Sequence, residues 1–258
     1  MAIGTTIDAS RPSLTSNDSA VLQALFDAES SPSSAVAIDA ALSPFPEYLH
    51  ISAETHESLR ECELSIIRAL QAEDVSPSTI ESAIKGLDAL IVEHPTYPPA
   101  YVNRAQTIRL LIEKTAQSTA STDADDAIFA PNHVESASRL LFDLGKAITL
   151  CTPRSPADPV STVQARILAD SHTHRGYLML KAARIKKNLK EGEAMGGPDK
   201  LQELGPDQLE EMASRDFFFG GRYGNKVAQQ LAVQTNPYAK MCGAIVKEAL
   251  RKEVEGSV

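Results

Sequence analysis

Apolar side chains recur every three or four residues along most of this 258-residue chain, and proline, glycine or polar clusters interrupt them. This spacing places the apolar positions of each stretch on one face of an α-helix, whereas a half-buried strand would need strict alternation. The pattern therefore predicts an all-α protein. The predicted helices cover residues 17–28, 53–74, 77–91, 99–114, 133–151, 162–189, 206–223, 226–234 and 236–253.

The helices between residues 53 and 114 repeat a pattern with a period of 34 residues. Tyr101 lies 34 residues after Ile67, and Ala105 lies 34 residues after Gln71. Small and large residues also stand where the helix pairs of tetratricopeptide repeats cross and stack: Ala83, Leu87, Tyr101, Ala105, Ile108, Leu144, Ala147, Gly176, Ala213, Phe217 and Gly220. Such a pair buries its apolar face only by stacking on neighbours. We interpret the fold as an α-α superhelix of three tetratricopeptide-type pairs with capping helices at both ends.

Polar stretches divide the chain further. Residues 115–132 and 186–208 interrupt the repeats, and we interpret both as insertions, the first of them on the surface. The enrichment in serine, threonine and proline predicts a disordered tail at residues 1–16. Residues 17–52 are predicted to form one helix followed by a linker, because several prolines precede residue 52. Residues 53–258 then form the three-repeat domain with its C-terminal capping helix.

Composition and charge narrow the function classes. The net charge of −9 argues against nucleic-acid binding, which needs an excess of lysine and arginine on some surface. No apolar run approaches the roughly 18–20 residues of a membrane helix, and the N-terminus lacks a secretory signal pattern. The three cysteines, Cys62, Cys151 and Cys242, lie far apart, as expected of reduced, buried thiols. We expect a protein of the cytoplasm, with the nucleus as an alternative location, and no membrane partner.

Candidate chemical groups form no catalytic or metal-binding constellation. His172 and His174 point apart on a helix, so exposed or partly packed histidines are a better interpretation than a shared metal. The glycine-rich 220–224 lacks the strand and the Lys-Ser/Thr ending of a phosphate loop, and a helix stop explains it. The acidic 123–126 lacks the glycine and distal glutamate of a calcium loop. The prediction is therefore a protein without catalytic residues, metal or cofactor.

Four segments together resemble the tetratricopeptide repeat protein 36 family. They are NDSAVLQALF at 17–26, VNRAQ at 102–106, ASRDF at 213–217 and NPYAKMC at 236–242. The resemblance covers most of residues 17–250 apart from the two insertions. It implies a small intracellular scaffold that binds the seventy-kilodalton heat-shock chaperone and takes part in the control of tyrosine breakdown.

Chaperone-binding repeat domains grip a C-terminal carboxylate with lysine, arginine and asparagine side chains, and the resemblance allows a comparison position by position. Arg68 falls at the first lysine of this clamp and Asn103 at its second asparagine, whereas Ala72 replaces the first asparagine. Asp170 replaces a lysine and His174 an arginine. Each lost charge-assisted donor weakens binding by roughly 1.5–3 kcal/mol, so we expect a groove of other specificity.

The residues expected to project into the concave groove lie on the first helix of each pair. They are Arg68, Val102, Asn103, Gln106, Arg109, Thr173, His174, Tyr177 and Lys181. The basic run at 181–190, by contrast, is expected to be a solvated helix end. Our first hypothesis is a non-enzymatic scaffold that binds a partner peptide. The alternative is a co-chaperone that binds a heat-shock chaperone tail, and an enzyme built from scattered Asp, His and Cys residues finds no support.

Overall fold

The computed structural model describes residues 36–72, 74–119, 126–190, 192–193 and 195–236, and these residues form an all-α fold, as the hydrophobic pattern predicts. All of them belong to one unit that begins at Val36. The α-helices of the described residues are α1 (Ala53–Ile67), α2 (Pro77–Glu93), α3 (Pro98–Thr119), α4 (Val134–Cys151), α5 (Thr162–Asn188), α6 (Asp199–Gln202), α7 (Pro206–Arg222) and α8 (Lys226–Thr235). The tail expected at 1–16 and the helices predicted at 17–28 and 236–253 lie outside the described residues.

Side-chain caps fix where several helices begin. The side chains of Ser52, Ser76, Ser161 and Asn225 accept hydrogen bonds from backbone N–H groups in the first turns of α1, α2, α5 and α8. These bonds satisfy donors that a helix start otherwise leaves unpaired. Asn225 therefore starts α8 and does not end α7, where Gly224 adopts the left-handed backbone conformation with φ of 102°.

Successive long helices pack on one another in chain order. α1 contacts α2, α2 contacts α3, α3 contacts α4, α4 contacts α5, α5 contacts α7, and α7 contacts α8. α3 also contacts α5. Leu87, Leu144 and Phe217, predicted as the large residues of three successive second helices, are all fully buried. Tyr101 and Ala105 are buried at 4% and 0% exposure, so the predicted register of α3 is confirmed.

An arginine–aspartate pair with a buried aspartate ties the two helices together at each of two crossings. Arg104 of α3 donates to both carboxylate oxygens of Asp143 on α4, at 2.8 and 2.6 Å. Arg175 of α5 donates to both oxygens of Asp216 on α7, at 2.7 Å each. A bidentate guanidinium–carboxylate contact fixes the relative orientation of two side chains as well as their distance. The same kind of contact therefore orients the helices at both crossings.

Small residues allow the helix backbones to approach. At Gly176 an added Cβ would lie 3.1 Å from the Phe217 ring, and at Gly220 it would lie 2.7 Å from the Thr173 hydroxyl oxygen. Both distances are shorter than normal packing contacts, so larger residues would force the helices apart.

The two insertions pack against each other. Residues 127–129 are nearly inaccessible, as are Met195 and Leu201 of the second insertion, and all belong to one apolar cluster. A Cβ added at Gly196 would stand 2.3 Å from the carbonyl oxygen of Phe129. The prediction that the first insertion lies on the surface is therefore wrong for residues 127–129, because the two insertions together extend the core beside α3, α4 and α5.

The segment before α1, predicted as a linker, is fastened to the loop between α4 and α5. Val160 exchanges backbone hydrogen bonds with Ala37 and Asp39, and the hydroxyl of Ser161 donates to the carbonyl of Pro44. The hydroxyl of Tyr48 donates to carbonyls at the end of α4. The segment thus links the beginning of the described chain to its middle.

Two further predictions need correction. Cys151 is buried as expected, but Cys62 is exposed because it falls on the outer face of α1. The basic run at the end of α5 is not simply solvated, since Lys186 donates to the carbonyls of Gln202 and Leu204 and Ala182 and Ala183 are fully buried. No helix in the described ranges is long and apolar enough to cross a bilayer.

Candidate functional site

Two adjoining depressions run along α3 and α5, and we call them together the groove. The wider one, about 610 Å³, is bounded by α3, α5 and α8 and is lined by Gln106, Arg109, Leu110, Glu113, Asp170, Thr173, His174, Tyr177, Asn225, Val227 and Leu231. The narrower one, about 380 Å³, lies between α1, α3 and α5 and is lined by His56, Arg60, Glu63, Leu64, Ile67, Tyr97, Pro99, Val102, Asn103, Gln106, Val163, Arg166, Ile167 and Asp170. Gln106 and Asp170 line both, so the depressions meet there.

Seven of the nine residues predicted to face a groove do line it. They are Val102, Asn103, Gln106, Arg109, Thr173, His174 and Tyr177. They converge because α3 and α5 lie side by side and each presents residues three and four positions apart on one face. Among them Gln106 is exposed, so its amide is available to a bound segment.

The other two predicted residues do not project into the groove. Arg68 lies in the 3₁₀ turn that follows α1 and is exposed outside both depressions, because α1 ends one residue before it. Lys181 forms an ion pair with Asp126 at 2.9 Å, so it tethers the first insertion to α5.

Asn103 holds a carboxylate of its own chain. Its side-chain amide donates to Glu63 Oε1 at 2.5 Å, and the Tyr97 hydroxyl donates to Glu63 Oε2 at 3.1 Å. Glu63 is only 6% exposed, and burial raises the pKa of this carboxyl above its ordinary value although both hydrogen bonds act to lower it. Glu63 was not identified as a site residue from the sequence. The pattern of apolar residues in α1 does not indicate that the turn carrying Glu63 packs against α3.

Arg109 and Tyr177 form one wall of the wider depression. Arg109 Nε lies 2.5 Å from Glu113 Oε1, and its guanidinium lies 5.4 Å from the centre of the Tyr177 ring. The carboxylate neutralises the guanidinium and the ring stacks on it. This arrangement orders the side chains that span α3 and α5.

His174 carries a buried nitrogen without a hydrogen-bond partner in the described part of the chain. The nitrogen is Nε2, and the residue lines the wider depression. Burial, and secondarily the positive charge of Arg109, lower the pKa of His174 to about 4. At neutral pH the ring is therefore uncharged.

His172, the neighbouring histidine, has a structural position away from the groove. Its Nδ1 lies 2.8 Å from Asp216 Oδ1, and its ring stacks on Phe219 at 5.2 Å between centroids. Burial acts to raise the pKa of Asp216, but the hydrogen bonds from Arg175 and His172 hold it below its ordinary value. The expectation of an exposed or partly packed His172 is wrong, because it completes the buried crossing of α5 and α7.

The fold and the groove define a class: an all-α protein of successively packed helices with a polar cleft along two of them. Comparison with known proteins gives the family. The chain is 81% identical over 258 residues, the full length of both proteins, to the L-tyrosine degradation gene cluster protein hmgX of Aspergillus fumigatus. The chain belongs to the family of that protein. No family model matches the chain, and no solved structure matches it significantly.

Proposed function

We propose that this chain is a non-enzymatic interaction scaffold whose groove holds an extended segment of a partner protein. The observation that carries the proposal is the convergence of seven residues, chosen from the repeat register alone, on one groove along α3 and α5. The groove mixes amide, hydroxyl and imidazole groups with the apolar side chains of Leu110, Val227 and Leu231. Such a lining suits a peptide, which offers both backbone hydrogen bonds and side chains.

The architecture we propose is a tetratricopeptide-type superhelix. Its three pairs would be α1 with α2, α3 with α4, and α5 with α7, followed by α8. Packing in chain order, small residues at the crossings, and the recurring arginine–aspartate pairs support this reading. The groove would then be the inner surface formed by the first helix of each pair.

We further propose that the partner acts in L-tyrosine degradation. The name of the relative from Aspergillus fumigatus supports this link, and the identity of 81% over the full length makes a shared role reasonable. The resemblance to the tetratricopeptide repeat protein 36 family points in the same direction.

A filled groove tests the proposal. Gln106→Trp places an indole where the two depressions meet, and Ser82→Trp on the exposed surface of α2 is the matched control. In the native organism, deletion of the chain should abolish growth on L-tyrosine. The Ser82→Trp variant should restore growth and the Gln106→Trp variant should not, with equal amounts of folded protein. Normal growth of the deletion strain contradicts the link to tyrosine, and full rescue by Gln106→Trp contradicts use of the groove.

The co-chaperone alternative receives less support from the groove. The amide of Asn103 already holds Glu63, and Asp170 contributes a negative charge where the clamp would need a lysine. A fluorescence titration with peptides that end in Glu-Glu-Val-Asp tests it directly. The absence of binding at about 100 μM would end this hypothesis.

A further inference from the structure

Asp170 lies where several surface depressions meet. Its side chain lines both depressions, and it also lines a third one of about 340 Å³ beside the turn between α7 and α8. The side chain is 43% exposed, so a bound segment can reach it from any of these depressions.

The other carboxylates that line the groove have close partners in the chain. Glu113 contacts Arg109 at 2.5 Å, and Glu63 accepts hydrogen bonds from Tyr97 and Asn103. Asp170 differs, because the ion pair recorded for it among the described residues is a contact of 3.8 Å with Arg166, whose side chain is 86% exposed. An exposed, loosely placed pair contributes little, so Asp170 is the least compensated carboxylate of the groove.

The surroundings of Asp170 suit a cation with an apolar stem. His174 lies one turn further along α5, on the same face, and its ring lines the wider depression. Because the ring is neutral at physiological pH, it does not repel a cation. Leu110 and Leu231 line the same depression and can cover the methylene groups of a long side chain.

We propose that Asp170 binds a lysine or arginine side chain of the partner segment, so that the groove selects basic peptides. This inference rests on the proposed function of the groove. The net charge of −9 favours the approach of a basic partner, whereas an acidic chaperone tail would meet repulsion at Asp170.

Peptide pools with one fixed charge test the inference. Three fluorescent dodecapeptide pools carry Lys, Gln or Glu at the centre and uncharged residues elsewhere, and each is equilibrated with the full chain. The variants are Asp170→Asn, Asp170→Lys and the control Glu81→Gln, which removes an exposed negative charge from α2. Far-ultraviolet circular dichroism checks that each variant is folded.

The wild type and Glu81→Gln should bind the Lys pool at least about fivefold more tightly than the Gln pool. Asp170→Asn should lose this preference, and Asp170→Lys should prefer the Glu pool. Equal binding of the pools by the wild type, or a Lys preference that survives in Asp170→Asn, overturns the inference but leaves the groove as a binding site. Failure of every pool to bind contradicts the proposed function and the inference with it.

Discussion

The crossing of α3 with α4 and the crossing of α5 with α7 use the same polar pair with different packing around it. In both, an arginine of the first helix grips an aspartate of the second through two hydrogen bonds. The residue after the arginine is Ala105 in one case and Gly176 in the other, and the residue after the aspartate is Leu144 or Phe217. The larger ring in α7 is accommodated by the smaller residue in α5.

The two pairs also differ in their neighbours. Arg104 is 9% exposed and reaches a second carboxylate, Asp88, at 3.0 Å. Arg175 is 26% exposed, and there the aspartate takes a third hydrogen bond, from His172. The comparison teaches that the ion pair sets the register of each crossing, whereas the apolar residues adjust to the space that is left.

Removal of either aspartate should have the largest effect. Asp143→Ala leaves the nearly buried guanidinium of Arg104 with Asp88 as its remaining carboxylate partner, and we expect a loss of about 3 kcal/mol in the free energy of unfolding. Asp216→Ala should cost less, because Arg175 is 26% exposed and water can hydrate its guanidinium. Urea denaturation measures it. The double replacements Arg104→Met with Asp143→Leu, and Arg175→Met with Asp216→Leu, should recover most of the loss. A cost below about 1 kcal/mol for both single variants would show that the pairs do not fix the crossings.

An exchange of packing between the crossings should have the next largest effect. Gly176→Ala places a Cβ 3.1 Å from the Phe217 ring and should cost about 1–3 kcal/mol. The double variant Gly176→Ala with Phe217→Leu reproduces the Ala105 and Leu144 combination of α3 and α4. It should lose less than the sum of its single variants by at least about 0.5 kcal/mol, measured in a double-mutant cycle. Strict additivity would contradict the equivalence of the two crossings.

A third pair of positions compares Ala147 of α4 with Gly220 of α7, each four residues after the aspartate. Gly220→Ala should destabilise the chain by about 1–2 kcal/mol, because its Cβ would meet the Thr173 hydroxyl at 2.7 Å. Ala147→Gly should cost about 1 kcal/mol through helix propensity. Thermal unfolding of both variants gives the order, and a more stable Gly220→Ala variant would refute the close approach of α5 and α7.

The smallest expected effect on stability is a pH dependence that involves Asn103 and His174, the residues before Arg104 and Arg175. Burial lowers the pKa of His174 from 6.5 to about 4, so the unfolded chain binds a proton more readily than the folded one. The stability that the neutral ring contributes is fully present above pH 6.5 and is lost as the pH falls towards about 4. Between about pH 7.5 and about pH 5 we expect a loss of about 1–2 kcal/mol in the free energy of unfolding.

Urea unfolding at about pH 7.5 and about pH 5 compares the wild type with His174→Gln, which should depend less on pH in this interval. Asn103→Gln is the control, since its amide does not titrate and the wild-type slope should remain. An unchanged slope in His174→Gln would show that His174 is not buried as a neutral ring.

Much of the fold follows from local patterns in the sequence. The helix starts at Ser76 and Ser161 need only a capping side chain, and the core positions Leu87, Tyr101 and Phe217 follow from a period of 3.6 residues. The same register placed Val102, Gln106 and His174 in one groove. The prediction that Arg68 faces the groove is wrong because α1 ends one residue before it. A helix end that falls within an unbroken apolar pattern leaves no clear signal in the sequence.

The sequence by itself determined the helical class, the apolar face of most helices and the side of α3 and α5 that faces a groove, because these depend on residues within a few turns of each other. Only the tertiary structure decided which polar groups meet across helices. The hydrogen bond between Asn103 and Glu63, the burial of His172 against Asp216 and the contact of the two insertions join residues 40 or more positions apart. Such contacts depend on how whole helices cross, and no local pattern encodes that geometry.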